Sequence, residues 1–560
     1  MSSNEKESEL IMREAADQSP DDKDAEEIAR VFGFSGFKDR DHLNRKIAVQ
    51  KLGTFEELIT RQNNNSEESK FSGAKKIIDC FAGVRNEIEV SKDKTISKRP
   101  HLLIAGGFVR DTLLNKKPHD IDFATDMEYE NIIELFKKSF TDEIKEGKVT
   151  MGETGKAFGV LRLKFSDTGE EYEVANFRID GDYSDGRRPD SVTPARIAGV
   201  DADRRDLTIN SLFYNPFSGN IIDYTGGLDD LKEKRLKFVG EPEKRISEDR
   251  LRMLRYIRFL VRTGFFEDGP AKEAILKHAK ELNMLPAERI RIELNAIFLS
   301  GKTGDAVEKL KEYGLLREIL PEVESLSDCG QGPPYHMEGS VYQHTVMTAN
   351  ALPENADTSL RWAAILHDIS KPETKEEKLD KDGKTKVSFI GHAEPGAEAA
   401  GKILNRLKFS NEEMSEITWL IENHIRAFSF PEIREAKARK MAASPYFLNL
   451  FELAKADTRS SVSSGDTARI ENENLLEAIE KRYLGIKKFE QEQEGPLALI
   501  KKAVNGHVII EKYKKIHGEV PQGKNIGLIK EEVYETIDNQ KITDVGEALK
   551  VLGEVVERTK

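Results

Sequence analysis

The apolar run Leu102-Leu103-Ile104-Ala105 closes on Gly106-Gly107, which predicts a short buried strand ending in a tight turn. Phe108 to Leu114 then reads as a helix, and Asp120-Ile121-Asp122-Phe123 as a second strand with its polar positions two apart. Residues 171–178, Glu-Tyr-Glu-Val-Ala-Asn-Phe-Arg, alternate in the same way. Upstream, residues 1–70 are polar and acid-rich, with a linker-like Asn63-Asn64-Asn65-Ser66-Glu67-Glu68. Ile47 to Ile59 fits one or two short helices, and Lys75 to Val90 an amphipathic one. Val149 to Pro216 reads as strands and turns around a long polar loop, Asp180 to Pro189. From about Glu243 the pattern is helical to the last residue, broken by a charged loop from Lys375 to Lys386. No internal repeat or heptad run is present. The pattern is that of an α+β chain, strands and turns first and helices after.

Composition narrows the setting. A chain of 560 residues has room for two to four domains. Charged residues make up 33%, and no run of about 18 apolar residues exists, which excludes an ordinary membrane-spanning helix. The first residues, MSSNEKESEL, lack the basic and apolar regions of a secretory signal. The two cysteines, Cys80 and Cys329, cannot form a disulfide framework and have no metal-type spacing. A cytoplasmic enzyme is expected. The net charge of −13 argues against a protein that coats nucleic acid, but not against an RNA enzyme, because local field guides the substrate. Basic clusters stand at Arg187-Arg188, Arg204-Arg205, Arg250 to Arg262 and Lys437/Arg439/Lys440. Each alone is also what a solvated face looks like.

The chemistry concentrates between His101 and Asp126. Glycines let backbone approach a phosphate closely, and carboxylates two apart on a strand share a face. Such a pair opposite a glycine turn can hold Mg²⁺ against a triphosphate. Alone, Asp120-x-Asp122 is more often a turn or strand-end feature than a metal site. The order strand, Gly-Gly, helix, Asp-x-Asp within one unit is more specific. Gly106-Gly107-x-Val109-Arg110-Asp111 with Asp120-x-Asp122-x-Ala124-Thr125 resembles the head of the nucleotidyltransferase superfamily, specifically bacterial-type (class II) CCA-adding enzymes and poly(A) polymerases. The resemblance implies a polymerase β-like mixed-sheet head in which Asp120 and Asp122 bind two metal ions. One would activate the 3′-hydroxyl of an RNA primer and the other neutralise the nucleotide's phosphates. It selects Glu173 as the third carboxylate, with Glu171 on the same face as rival.

The resemblance extends to the nucleotide pocket. Arg204-Arg205-Asp206-Leu207-Thr208-Ile209-Asn210 resembles the motif that contacts the nucleotide's sugar and phosphates, with Arg205 facing it. On structural grounds the same stretch reads as a helix started by Asp206, with Ile209 and Leu212 buried. Ser247-Glu248-Asp249-Arg250-Leu251-Arg252 reads as a helix start, Ser247 as N-cap and the acids in the first turn. Asp249 and Arg252 would then lie side by side, three apart. A carboxylate acceptor beside a guanidinium donor matches the Watson–Crick edge of C or A, and U and G present the reverse. The family's Glu-Asp-x-x-Arg motif works in this way without a template. Arg255 and Arg258 continue the helix, and Gly106, Gly107, Arg110, Arg204, Asp206 and Asn210 complete the expected nucleotide site. The loop with Asp185, Arg187 and Arg188 resembles the flexible loop that full CCA-adding enzymes need for the final A. Residues 151–158 lack the basic segment of bacterial poly(A) polymerases, which favours CCA addition over poly(A) synthesis.

Of 11 histidines, five fall between His336 and His424. The set His344, His367-Asp368, His392, His424 and Asp457 resembles an HD metal-dependent phosphohydrolase domain. Asp466 is the alternative to Asp457. An adjacent His-Asp pair supplies a nitrogen and a bridging oxygen to paired metals, and a mixed N/O set admits Mn²⁺, Ni²⁺, Mg²⁺ or Fe. The resemblance implies phosphatase or 2′,3′-cyclic phosphodiesterase activity. Residues 504–552 resemble the family's helical tail, which implies tRNA phosphates near Lys501, Lys502, Lys512, Lys514 and Lys515.

The expected organisation is an N-terminal extension of unassigned role (1–95), a nucleotidyltransferase head (96–235), a helical neck for nucleotide and RNA (236–335), an HD domain (336–470) and a tRNA-binding tail (471–560). The expected function is addition and repair of the tRNA 3′-CCA from CTP and ATP with Mg²⁺ in the head, no membrane partner, and an oligomeric state the sequence does not specify. The rivals are a poly(A) polymerase of the same fold and a protein whose main activity is HD phosphohydrolysis.

Overall fold

The computed structural model describes residues 48–62, 71–90, 100–155, 159–181, 183, 191–331, 339–379, 385–460, 466–521 and 523–559. These form two compact units, one of residues up to Glu293 together with Tyr313–Leu315, the other of Leu294–Glu312 and Leu316 onward.

The first unit is built on an eight-stranded sheet. Its strands are β1 (Ala48–Lys51), β2 (Leu102–Ala105), β3 (Asp122–Thr125), β4 (Val149–Gly155), β5 (Val160–Phe165), β6 (Glu170–Asn176), β9 (Phe213–Asn215) and β10 (Asn220–Asp223). A separate two-stranded ribbon pairs β7 (Arg178–Asp180) with β8 (Val192–Pro194). The sheet order is β1-β10-β9-β2-β3-β6-β5-β4, and β3 with β6 is its parallel pairing. Every residue of β2 is buried, which is why that strand reads as a continuous apolar run. On β5, buried Leu161, Leu163 and Phe165 alternate with exposed Arg162 and Lys164. The expected second strand is shorter than its pattern: it begins at Asp122, with Asp120 and Ile121 just before it.

Residues 48–62 and 71–90 pack into this sheet. β1 extends its edge, and Phe55 and Phe71 lie against Phe108. The helix Ser72–Val90 is fixed at its start by the Glu170 carboxylate, which accepts from the Phe71 N–H, from Gly73 N–H at 3.0 Å and from Ser72 Oγ at 3.3 Å. Phe81, Phe136, Phe140, Phe165 and Tyr172 form an aromatic layer on the same side. The stretch expected to be helical between Ile47 and Ile59 is thus β1 followed by the helix Phe55–Gln62.

In the second unit, helices Val341–Asn350, Thr358–Leu366, Ala393–Arg406, Asn411–Ser429 and Phe447–Ser460 surround the histidines. Ser340 and Ser410 each start a helix with a reciprocal capping box. The expected loop from Lys375 to Lys386 contains a hairpin, β11 (Glu376–Leu379) with β12 (Thr385–Ser388). The four side chains of β11 are all exposed, so no burial alternation marked it as a strand. A long helix, Asp466–Ala503, leads to three helices, Gly506–His517, Gly523–Gln540 and Val545–Arg558, packed around Ile509, Ile529, Val533, Leu552 and Val555. No helix among the described residues is long and apolar enough to cross a membrane.

Candidate functional site

Gly106 joins β2 to the helix Gly107–Leu113 with φ of 70°, a conformation a side chain would strain. A Cβ there would also stand 3.3 Å from the Arg205 guanidinium, so the turn is open only because it is glycine. Asp120 and Asp122 face this turn across a cavity of about 900 Å³. Asp122 and Glu173 are register partners across the parallel pair, whereas Glu171 lies two residues back and pairs with Lys164 at 2.9 Å. Glu173 is held by Arg162, at 2.9 Å from Nε and 2.8 Å from Nη2. Asp122 touches solvent but stands deep in the cleft. Loss of bulk water there, then the charges of Asp120 and Glu173, raise its pKa to about 6. Two carboxylates placed so as to oppose the ionisation of Asp122 make a site that suits a divalent cation.

The remaining walls are basic. Arg110 donates to Asn210 Oδ1 at 2.5 Å and to Asp111 at 2.8 Å, and lies over the Phe259 ring. Arg204 and Arg205 share the buried Asp201 at 2.6 and 2.9 Å. Asp206 accepts from Leu207 N–H, from Asn210 Nδ2 and, at 2.7 Å, from Arg255 Nε. Burial opposes its charge, but Arg255 outweighs burial and holds Asp206 far below the usual carboxylate range. Arg258 pairs with Glu293 at 2.9 Å. The stretch after Asp206 is a 3₁₀ turn, Thr208–Asn210, rather than the expected α-helix, with Ile209 and Leu212 fully buried.

The base-reading pair departs from its expected geometry. Ser247 is not an N-cap: it lies in the last turn of the helix Pro242–Glu248, its hydroxyl donating to Lys244 O. The chain breaks at Asp249, in extended conformation, and a new helix runs from Leu251 to Thr263. Asp249 and Arg252 therefore do not share a helix, although both line the cavity. Asp249 Oδ1 accepts from Leu251 N–H at 3.1 Å, and Oδ2 lies 3.4 Å from Arg289. Arg252 is buried and held by Glu248 at 2.6 Å, Arg245 O at 3.0 Å and Arg204 O at 2.7 Å. The cavity also gathers Arg178, Asp180, Tyr183, Arg262, Arg289 and Glu293, none of them expected from the sequence. For Arg262 a signal existed, since 252, 255, 258 and 262 follow helical spacing. Asp185, Arg187 and Arg188 lie outside the described residues.

His344, His367, His392 and His424 of the second unit meet in one buried cluster. His344, His367 and Asp457 form one triplet, Asp368, His392 and His424 another. Asp457 Oδ1 is 3.0 Å from His344 Nε2, so Asp457 is the carboxylate that joins the set; Asp466 opens the next helix. Asp368 spans both triplets, Oδ2 3.1 Å from His367 Nε2 and Oδ1 3.1 Å from His392 Nε2. The Nδ1 atoms of His367, His392 and His424 point at the carbonyls of Ala364, Phe389 and Ile421, 2.6–2.9 Å away. Donation from Nδ1–H leaves each Nε2 lone pair directed inward. His392 and His424 then present two lone pairs 3.1 Å apart, an arrangement that a cation between them relieves. Burial, then the neighbouring His367, lowers His424 to about 4. Burial opposes ionisation of Asp368, but His367 and Lys371 outweigh it and hold Asp368 well below the usual range. The donor set fits two divalent metals.

Residues 102–237 match the poly A polymerase head domain, 268–326 the probable RNA and SrmB-binding site of polymerase A, and 340–457 the HD domain. A CCA-adding enzyme of Bacillus velezensis is 31% identical over 263 residues, 47% of this chain and 58% of that protein. One of Lactobacillus delbrueckii is 38% identical over 234 residues, 41% of this chain and 55% of that protein. The chain thus spans a little over half the length of these relatives. The CCA-adding enzyme of Bacillus stearothermophilus, solved in complex with CTP, superposes with a TM-score of 0.59 at 20% identity, covering 85% of this chain and 97% of that one. At that identity the likeness is one of fold. Three segments of the chain thus match, in order, the poly A polymerase head, its RNA-binding region and an HD domain, and the chain has the fold of the CCA-adding enzymes.

Proposed function

We propose that this chain builds or repairs the 3′-terminal CCA of tRNA from CTP and ATP, without a nucleic-acid template. The observation that carries this reading is the cavity of the first unit, with carboxylates on one wall, guanidinium groups on the others, and Asp249 and Arg252 lining it together. The naming of its relatives as CCA-adding enzymes supports it.

In this reading Asp120, Asp122 and Glu173 hold Mg²⁺, which supplies Lewis-acid activation of the RNA 3′-hydroxyl and charge neutralisation. The chain's own groups do the positioning. The Gly106-Gly107 turn admits the phosphates, and Arg110, Arg204 and Arg205 offset their charge. Asn210 fixes Arg110 and Arg205, Asp206 fixes Arg255, and Asp201 fixes Arg204. Arg258 closes the same wall. The 3′-oxygen bonds to the α-phosphorus as the bond from that phosphorus to pyrophosphate breaks. Asp249 accepts from the exocyclic amino group of C or A, while Arg252 donates to the adjacent ring nitrogen. U and G would set donor against donor and acceptor against acceptor. The tail lysines Lys501, Lys502, Lys512, Lys514 and Lys515 meet tRNA phosphates, and the protein works in the cytoplasm. Incubating tRNA ending at the discriminator base with CTP alone should add two C residues, and ATP should then add one A. Long A tails, or no use of CTP, would make it a poly(A) polymerase.

The buried histidine cluster supports a second activity. His344, His367, Asp368, His392, His424 and Asp457 would hold two divalent ions among Mn²⁺, Ni²⁺, Mg²⁺ and Fe, for hydrolysis of phosphate esters such as 2′,3′-cyclic phosphates. Assaying 2′,3′-cyclic AMP against each ion tests this reading.

A further inference from the structure

A second cavity, of about 820 Å³, opens in the second unit among the helices Glu435–Ala442, Asp466–Ala503 and Gly523–Gln540. Its residues belong to neither the carboxylate cavity nor the histidine cluster, and of them only Lys501 also serves the proposed tRNA contact. Ala436, Ala443, Ile500, Ile537 and the ring of Tyr534 form its apolar part, and Arg439 lies among them. Arg439 is 7% exposed. It is fixed from three sides, by Asp538 at 3.1 Å, by Glu435 at 3.3 Å, and by the Phe489 ring 4.2 Å from its guanidinium carbon. Its Nη2 is buried and has no hydrogen-bond acceptor among the described residues. A buried cationic donor without an acceptor is costly, and a fixed guanidinium is the group that recognises oxyanions.

The charges around this nitrogen indicate the ligand. Four acids line the cavity, of which three have cationic partners: Asp538 with Arg439, Glu490 with Lys487 at 3.0 Å, and Glu531 with Lys440 at 3.8 Å. Lys437 and Lys501 stand exposed at the rim, facing one further carboxylate, Glu535. The exposed Lys437 and Lys501 thus outnumber the one carboxylate left over, beside the buried Arg439 guanidinium. An apolar wall with a few convergent polar groups is the usual form of a small-molecule site, and the volume suits a nucleotide.

We propose that this cavity binds a phosphate-bearing small molecule of about nucleotide size, its phosphate between Lys437 and Lys501 beside the Arg439 guanidinium and its apolar or aromatic part against Tyr534. The test uses the full chain carrying Tyr534→Trp, which places an indole in the wall, with EDTA present to silence metal-dependent binding elsewhere. Titration with AMP should change the indole fluorescence saturably. Inorganic phosphate should compete, and adenosine should bind at least about tenfold more weakly. Arg439→Met should abolish the response. Because that change strips Asp538 of its partner and can unfold the region, Lys437→Glu with Lys501→Glu serves as the second variant and should weaken AMP about tenfold. No saturable response, equal binding of adenosine, or indifference to the rim charge reversal would overturn the proposal. A response to tRNA with none to AMP or phosphate would also overturn it and make the cavity a contact for RNA backbone.

Discussion

Asp122 and Glu173 stand opposite each other as register partners across the parallel β3–β6 pairing, with Asp120 completing a row of three carboxylates. Neither strand alone specifies this: β3 and the two residues before it supply Asp120 and Asp122, and the register brings in Glu173 rather than Glu171. Asp120→Ala or Asp122→Ala should abolish nucleotide addition while tRNA binding persists, since RNA is held mainly through phosphates. Gel-based extension beside a filter-binding assay separates the two. More than a few per cent of wild-type incorporation in both variants would remove these carboxylates from the metal site.

The raised pKa of Asp122 has a stability consequence. Its folded value, about 6, exceeds the ordinary 3.8, so the folded protein holds the proton more tightly. The stabilising effect of that proton is complete below about 4 and is lost as pH rises through 6. Asp122→Asn should therefore stabilise the protein in EDTA at pH 7.5, by about 1 kcal/mol after allowing for solvent screening, and do little near pH 4. Thermal melts at the two pH values check it. An equal effect at both would mean that the carboxylates are not coupled.

Base choice should respond to Asp249 and Arg252. Removing either half leaves its partner unmatched in a desolvated pocket, an effect of about 2–4 kcal/mol on discrimination. UTP and GTP incorporation should rise relative to CTP and ATP in Asp249→Ala and Arg252→Ala. Glu248→Gln should shift selectivity the same way by less, because it loosens Arg252 without removing it. Folded variants with unchanged selectivity would place base recognition on other groups.

What the sequence revealed follows the range of the forces involved. Strand, glycine turn, helix and Asp-x-Asp are local patterns, and each formed close to where its residues pointed. The break at Asp249 was hidden because Ser247, Glu248 and Asp249 are also good residues for a helix start. What holds Arg252 is distant: one of its acceptors, Arg204 O, lies 48 residues away in the chain. Arg178, Asp180 and Tyr183 reach the pocket from a ribbon and a loop whose polar residues resemble any solvated turn. The histidine cluster was legible because histidines are few and buried polar groups must converge.

The segment before residue 96 should contribute to stability of the head. Glu170 satisfies two backbone N–H groups at the start of the helix Ser72–Val90, so Glu170→Ala leaves them without that acceptor. The expected loss is about 1 kcal/mol, the usual scale of a helix cap. Denaturant unfolding measures it, and an unchanged midpoint would mean that this helix is not coupled to the sheet.

The histidine cluster gives the last prediction. His367→Ala with Asp368→Ala removes one imidazole and the carboxylate that spans both triplets, so no pair of metals can be bridged. In the wild type, Ni²⁺ or Mn²⁺ at 100 times its dissociation constant should add about 2.7 kcal/mol to stability, seen as a raised melting temperature. The double variant should lose that response and all hydrolysis of 2′,3′-cyclic AMP. Nucleotide addition should persist, because the two sites share no residue and the head holds its own carboxylates. Acid should act in the same direction as metal removal. His424, lowered to about 4, must take up a proton on unfolding below about 6.5, so metal-free stability falls as pH drops from 6.5 to 4. His424→Gln should flatten that slope. A folded double variant that keeps its hydrolase activity, or a wild type that neither hydrolyses nor gains stability with any divalent ion, would show that the cluster is not a metal centre.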